Sequence, residues 1–176
     1  MSANLSFQLN EQLCGEWCWA AVAVAIGKFY NDVKCPQEQC HLVSNILQVG
    51  RDCCENCNCA PGRQEPCNQP QNLGFVLSQL GHGRDDNDGL AILKLSQIQK
   101  EINGGHPIAV SVEWQEPAAP GHAIVIHGYT DDGMLVIADP MAPPGTIITV
   151  PLDNFSYPQF GGSAVGTWKA AFRTLP

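Results

Sequence analysis

Apolar positions fall into two regimes along the chain. Residues 18–30, CWAAVAVAIGKFY, are almost wholly apolar, the pattern of a helix buried on most sides. The run ends by Asn31-Asp32 and is shorter than the roughly 20 residues a bilayer span requires. Leu42, Val43, Ile46, Leu47 and Val49 behind Pro36 predict a second helix over 36–49, closed by Gly50. Leu73, Val76, Leu77 and Leu80 predict a third over 70–80, stopped by Gly81. Ser96-Gln97-Ile98-Gln99 reads as a capping box for a short helix to Asn103, ended by Gly104-Gly105. Beyond residue 106 the stretches are short, β-branched and in places alternating. Strands are predicted over 107–114, 123–129, 134–138, 146–150 and 167–172, with Thr130-Asp131-Asp132-Gly133 as a hairpin turn. Residues 1–11, where Leu5, Phe7 and Leu9 alternate, predict an edge strand leading into a turn at Gln12. Short turns imply antiparallel pairing. The expectation is a single α+β domain over 1–176, helical from about 12 to 105 and β from about 106 to 176.

Composition narrows the classes. Charged residues are only 15% and the net charge is -8, which argues against nucleic acid and anionic membrane surfaces as partners. Nine cysteines are too many for an ordinary cytosolic domain, and none follows Cys67. With Cys18 set aside, Cys14, Cys35, Cys40, Cys53, Cys54, Cys57, Cys59 and Cys67 form an even set. Four disulfides and one free thiol are expected, with the connectivity open. The rival is zinc, because Cys54-x-x-Cys57 and Cys57-x-Cys59 have ligand-like spacing with His41 near; the missing second tight pair disfavours it. Residues 1–12 show no positive segment followed by an apolar one. A mature form with an added start methionine, or export by a specialised system, both fit a secreted or extracytoplasmic location.

Residues 50–70, rich in Cys and Pro and poor in apolar mass, need covalent staples to stay ordered. They read as a braced surface loop or as one rim of a groove. Residues 83–89 carry three aspartates, but without EF-hand spacing they read as a solvated loop. His82, in a Gly-His-Gly turn, reads as an exposed loop residue.

Cys18 is the candidate nucleophile. At the start of a helix its thiol meets unpaired N–H groups and the positive dipole end, which favour the thiolate that attacks. His122 opens an apolar strand, and Asp139 lies at the far end of the next strand of the same hairpin. The two are expected to face each other if their side chains share a sheet face, which supplies a general base and an orienting carboxylate. His127, five residues on, points to the opposite face and is read as structural.

Gln12, followed six residues later by Cys18-Trp19-Ala20, resembles the active-site segment of papain-like cysteine peptidases. Three residues separate Cys14 from Cys18, where papain has two. His122-Ala123-Ile124-Val125 running on to Gly128-Tyr129 resembles the histidine strand of the same family. Its continuation through Asp131-Asp132-Gly133 to Asp139-Pro140 is most similar to compact bacterial members of this clan (clan CA). These include peptidase domains that cut double-glycine leaders and effector cysteine proteases of plant pathogens, which use Asp where papain has Asn. The resemblance covers roughly residues 8–31 and 107–140, and the cysteine-rich segment has no counterpart in it. It implies a papain-like fold with the nucleophile helix packed on an antiparallel sheet. It also implies a protein or peptide substrate, a Cys18-His122-Asp139 triad, and no cofactor or metal. Gln12 and the Cys18 N–H would hold the oxyanion. Trp19 would pack behind the site, and Trp168 is a candidate to cover the imidazole. Gly161-Gly162 resembles a leader-type cleavage signal, although a flexible loop explains a single glycine pair better. Deamidase, transglutaminase-like and thioesterase chemistry share the acyl-enzyme and stay open. So does a non-catalytic binding module, against which the complete set of four residues argues.

Overall fold

The computed structural model describes residues 2–56, 59, 65–84, 92–115, 121–143, 145–153, 155–158 and 164–176. It is α+β, with the helices before most of the sheet. The elements run β1 (Ala3–Asn4), α1 (Cys18–Phe29), α2 (Gln39–Leu47), α3 (Cys53–Asn56), α4 (Leu73–Gln79) and α5 (Leu95–Asn103). They continue as β2 (Ile108–Trp114), β3 (His122–Tyr129), β4 (Met134–Ala138), β5 (Ile148–Pro151), β6 (Tyr157–Pro158) and β7 (Val165–Arg173). The sheet order is β5-β4-β3-β2-β7-β6, with β1 added against β3, and every pairing is antiparallel.

The helix starts shift from the expected ones for local reasons. α2 begins at Gln39 instead of Pro36; residues 36–38 lead into it as a bend, with the Gln37 amide donating to the Cys35 carbonyl, 2.9 Å away. α4 starts at Leu73, capped by Asn72, whose side chain accepts from the Phe75 N–H. α5 is entered at Lys94 and not at Ser96. The Gln97 side chain reaches back to the Lys94 N–H, 2.8 Å away, and satisfies a donor the helix leaves open. The expected amino-terminal edge strand shrinks to two residues. Its docking depends on Gly128, where a Cβ would come within 2.8 Å of the Ala3 carbonyl oxygen. β6 was not anticipated from the sequence.

Side chains alternate between two cores. Ala109, Ala123, Val125, Ala170 and Phe172 pack under α1 with Trp19, Val22, Ala23 and Ile26. Ile108, Val110, Ile124, Ile126, Leu135 and Ile137 fill the other face, closed by Ile98 and Ile102 of α5. α1 is buried from Trp19 to Gly27, which is why so few polar residues occur in it.

Three disulfides join described cysteines: Cys14–Cys59, Cys40–Cys54 and Cys53–Cys67. Cys18 and Cys35 are free thiols. The expectation of eight paired cysteines is therefore corrected at Cys35. That thiol is buried in the packing beside Gly27 of α1, and burial pushes it up to about 11. Cys57, residues 85–89 of the polar stretch 83–89 and the glycine pair Gly161-Gly162 lie outside the described residues.

His82 is also corrected. It is buried, stacked on Tyr30, with one ring nitrogen 2.9 Å from the Leu175 carbonyl and the other 3.3 Å from the Asp32 carboxylate. The end of the chain, bridged back at Gly83–Thr174, covers it.

Candidate active site

The segment before α1 has little apolar mass to order it, and polar contacts take over that task. Almost every residue from 12 to 19 is tied elsewhere. The Gln12 N–H donates to the Pro140 carbonyl at 2.9 Å, and the Leu13 N–H to the Gln39 side chain at 3.0 Å. Cys14 is bonded to Cys59. The Glu16 N–H donates to the Asn68 side chain at 2.9 Å. The indole N–H groups of Trp17 and Trp19 donate to the carbonyls of Cys67 and Gln69. Trp17 and Trp19 are both 1% exposed, so these bonds lie where water does not compete. The described part of the cysteine-rich stretch is thus a clamp on the approach to Cys18. Cys18 is the first residue of α1 and is half-buried.

His122 and Asp139 come together through an irregularity. β3 and β4 pair Gly128 with Val136, then shift by one residue to pair Ile126 with Ile137 and Val125 with Ala138. His127 is the extra residue, a β-bulge. Continued past the bulge, the ladder sets position 139 opposite Ile124, which shares its face with His122. Without the bulge, position 139 would oppose Val125, on the other face. The pair is therefore diagonal and not directly opposed, with His122 Nε2 2.8 Å from Asp139 Oδ1.

Asp139 is held from three sides. Besides His122, the Tyr157 hydroxyl donates to Oδ2 at 2.5 Å and the Met141 N–H to Oδ1 at 2.7 Å. The Trp114 ring lies over the His122 ring at 5.6 Å and 22°. Asp139 holds Nε2, which leaves Nδ1 as the other ring nitrogen, and the Cys18 side chain interacts with the imidazole strongly enough to help raise its pKa.

Burial pulls the His122 imidazolium down. The hydrogen bonds and charges of Asp139 and Cys18 outweigh it and hold the group at about 9. Burial raises Asp139. The hydrogen bond and charge of His122, the Tyr157 hydroxyl and the Met141 N–H reverse that and keep its carboxyl below the usual range. Burial and the Asp139 charge raise Tyr157, so it stays a donor. A protonated imidazole between a carboxylate and a thiol is suited to hold a thiolate and to return a proton.

Cys18, His122 and Asp139 are thus brought together. Gln12 lies at the edge of the same loop, but its amide N–H groups donate to the carbonyls of Cys14 and Gly15 at 2.9 and 2.7 Å. Its Oε1 is buried and has no hydrogen-bond partner. His127 stands apart. Its ring stacks on Phe7, Nδ1 is 3.4 Å from the Leu5 carbonyl, and burial lowers its pKa. Trp168 does not cover the imidazole. It packs edge-on against Phe155, and Trp114 takes the place expected of it. Tyr157 reaches Asp139 from a two-residue strand that the sequence pattern does not mark, and Trp114 reaches His122 from the end of the neighbouring strand. The one usable signal for Trp114 is its position at the end of the strand that pairs with β3, where the register sets Val112 beside His122.

Cys40, His41 and Cys54 gather potential ligand atoms within 4.8 Å. The disulfide between Cys40 and Cys54 leaves no thiolate pair there for a metal. A cleft of about 370 Å³ runs past Gln12, Leu13, Cys59, Pro140 and Met141. A larger one of about 440 Å³ lies between Phe7, His127 and Thr146. Neither is lined by Cys18 or His122; Gln12 lines the smaller one and Asp139 the larger.

A cysteine peptidase in general is supported by a family match. The model of the Peptidase_C39 like family matches residues 77–165, about half of the chain. The protein belongs to that family. The matched part carries His122 and Asp139, while Cys18 and Gln12 precede it. No curated protein matches the chain.

Proposed function

We propose that the protein is a secreted cysteine protease on a single papain-like domain, acting through Cys18, His122 and Asp139. One observation carries this reading: a buried Asp139–His122 pair, 2.8 Å apart, whose imidazole meets a thiol at the start of a buried helix. Cys18 attacks the scissile carbonyl as thiolate. His122 takes up the thiol proton and delivers it to the leaving amine. Asp139, steadied by Tyr157, fixes the tautomer and balances the imidazolium charge. Water attacks the acyl-enzyme with His122 as base, and Cys18 leaves. The substrate class is a protein or peptide, in line with the family. Three disulfides support an oxidising compartment. Among the described residues no helix is long and apolar enough to cross a membrane.

Gln12 and the Cys18 N–H stabilise the oxyanion in this scheme. One amide proton of Gln12 leaves its loop carbonyl for the oxyanion as the tetrahedral intermediate forms. Gln12→Ala is expected to lower turnover by about 10²–10³ without abolishing it. Near-wild-type turnover in a steady-state assay would remove Gln12 from the mechanism.

The overall reading is tested by product mass after incubation with glutamine-containing peptides. Cleaved chains, each gaining the elements of water across the broken bond, are expected. Intact peptides carrying a deamidated or cross-linked glutamine would replace the protease by an acyl transferase on the same site.

A further inference from the structure

We propose that Gln39 is a positioning residue for the oxyanion side of the site, acting through Gln12. This inference rests on the protease reading above. Gln39 is the first residue of α2 and only 6% exposed. Its Nε2 donates to the Glu11 carbonyl at 2.7 Å, and its Oε1 accepts from the Leu13 N–H at 3.0 Å. A primary amide offers the same donor and acceptor as a peptide unit. Gln39 therefore grips the backbone on both sides of Gln12 as a neighbouring strand would.

The third grip comes from across the site, where the Gln12 N–H donates to the carbonyl of Pro140, the residue after Asp139. Gln12 is thus suspended between α2 and the end of the His122–Asp139 pair. The residue after Gln39, Cys40, is fastened by the disulfide to Cys54, so the grip itself is braced. A buried side chain that spends both halves of its amide on the two peptides flanking one residue sets where that residue sits. The Gln12 side chain bonds only within its own loop, through Nε2 to the carbonyls of Cys14 and Gly15, and its Oε1 is buried without a partner, so the grips on its backbone are what tie it to α2 and to the Asp139 segment. A displacement near 1 Å of a catalytic group costs about 10² in rate.

The position of an oxyanion donor matters only when an oxyanion forms. Acylation of Cys18 by p-nitrophenyl acetate passes through one. Alkylation by iodoacetamide, a direct displacement at carbon, does not. Gln39→Met, which keeps length and burial and removes both hydrogen bonds, is expected to slow acylation by about 10- to 100-fold. Alkylation should stay within about twofold of wild type, because the thiolate itself is untouched. On a Gln12→Ala background Gln39→Met should add no further loss of acylation, as two residues acting through one group are not additive.

Acylation that keeps pace with wild type overturns the proposal. So does a parallel fall of acylation and alkylation, which would mean general damage to the site, or losses that multiply with Gln12→Ala. If Gln39→Met does not fold, Gln39→Glu carries the same comparison, since it keeps the acceptor for Leu13 and loses the donor to Glu11. A wild-type protein not acylated at Cys18 overturns the protease reading and this proposal with it. A wild type that is acylated, with the Gln39 variants unimpaired, overturns this proposal alone.

Discussion

Cys18→Ala is expected to abolish peptide hydrolysis, with turnover falling by a factor on the order of 10⁶, as when a serine-peptidase nucleophile is removed. The fold should survive, because alanine is the best helix former and the site is only half-buried. Selective labelling separates a lost nucleophile from a lost fold. Native wild-type protein treated with iodoacetamide near pH 6 should gain an adduct at Cys18. Six described cysteines are closed in disulfides, and Cys35 is buried with its thiol held at about 11. The adduct at Cys18 should disappear in Cys18→Ala, with the circular dichroism spectrum unchanged. Hydrolysis within tenfold of wild type, or Cys18 unreactive in the native protein, would mean that the chemistry lies elsewhere.

Asp139→Asn is the second large effect, expected at about 10⁴ in turnover, and it should also move the pH profile. The His122 pKa is raised from the ordinary value near 6.5 to about 9. The imidazolium is therefore fully present below the lower value and lost as pH rises through the upper one. In the proposed mechanism it is the acid that protonates the leaving amine, so wild-type kcat/KM is expected to fall on the alkaline side near pH 9. Removing the carboxylate charge leaves the burial that pulls His122 down. The alkaline limb of Asp139→Asn should then move to lower pH by more than one unit.

The same groups link pH to stability. The His122 contribution is lost as pH rises through about 9, and that of Asp139, whose pKa is depressed, as pH falls through its own folded value. The alkaline decline of the wild-type melting temperature should be weakened in the variant. An alkaline limb left at its wild-type position would show that Asp139 does not set the state of His122.

Much of the candidate site's arrangement was legible in local order. A cysteine opening an apolar helix, and a histidine and an aspartate at the ends of one hairpin, are signals that neighbouring residues carry. The turn is carried the same way, because Gly133 supplies the positive φ of 83° that it needs. Reading failed where the partner was far away. The Gly-His-Gly turn suggests exposure, yet Leu175, 93 positions on, binds His82 at 2.9 Å. Tyr157 and Trp114 belong to segments with no local mark of chemistry, and their roles come from the hydroxyl and ring they present to Asp139 and His122.

The sequence by itself determined which residues could act. Periodicity sets Cys18 at a helix start and His122 on a strand, because burial selects one helix stripe and one strand face. Tertiary structure alone decided that they meet. One extra residue at His127 turns Asp139 to the His122 face, and pattern cannot foresee it, since a bulge reflects the balance of packing on both sides of the sheet. Which cysteines pair was decided in the same way. Adjacent Cys53 and Cys54 take different partners, Cys67 in the core and Cys40 on α2, because neighbouring side chains of a helix point in different directions.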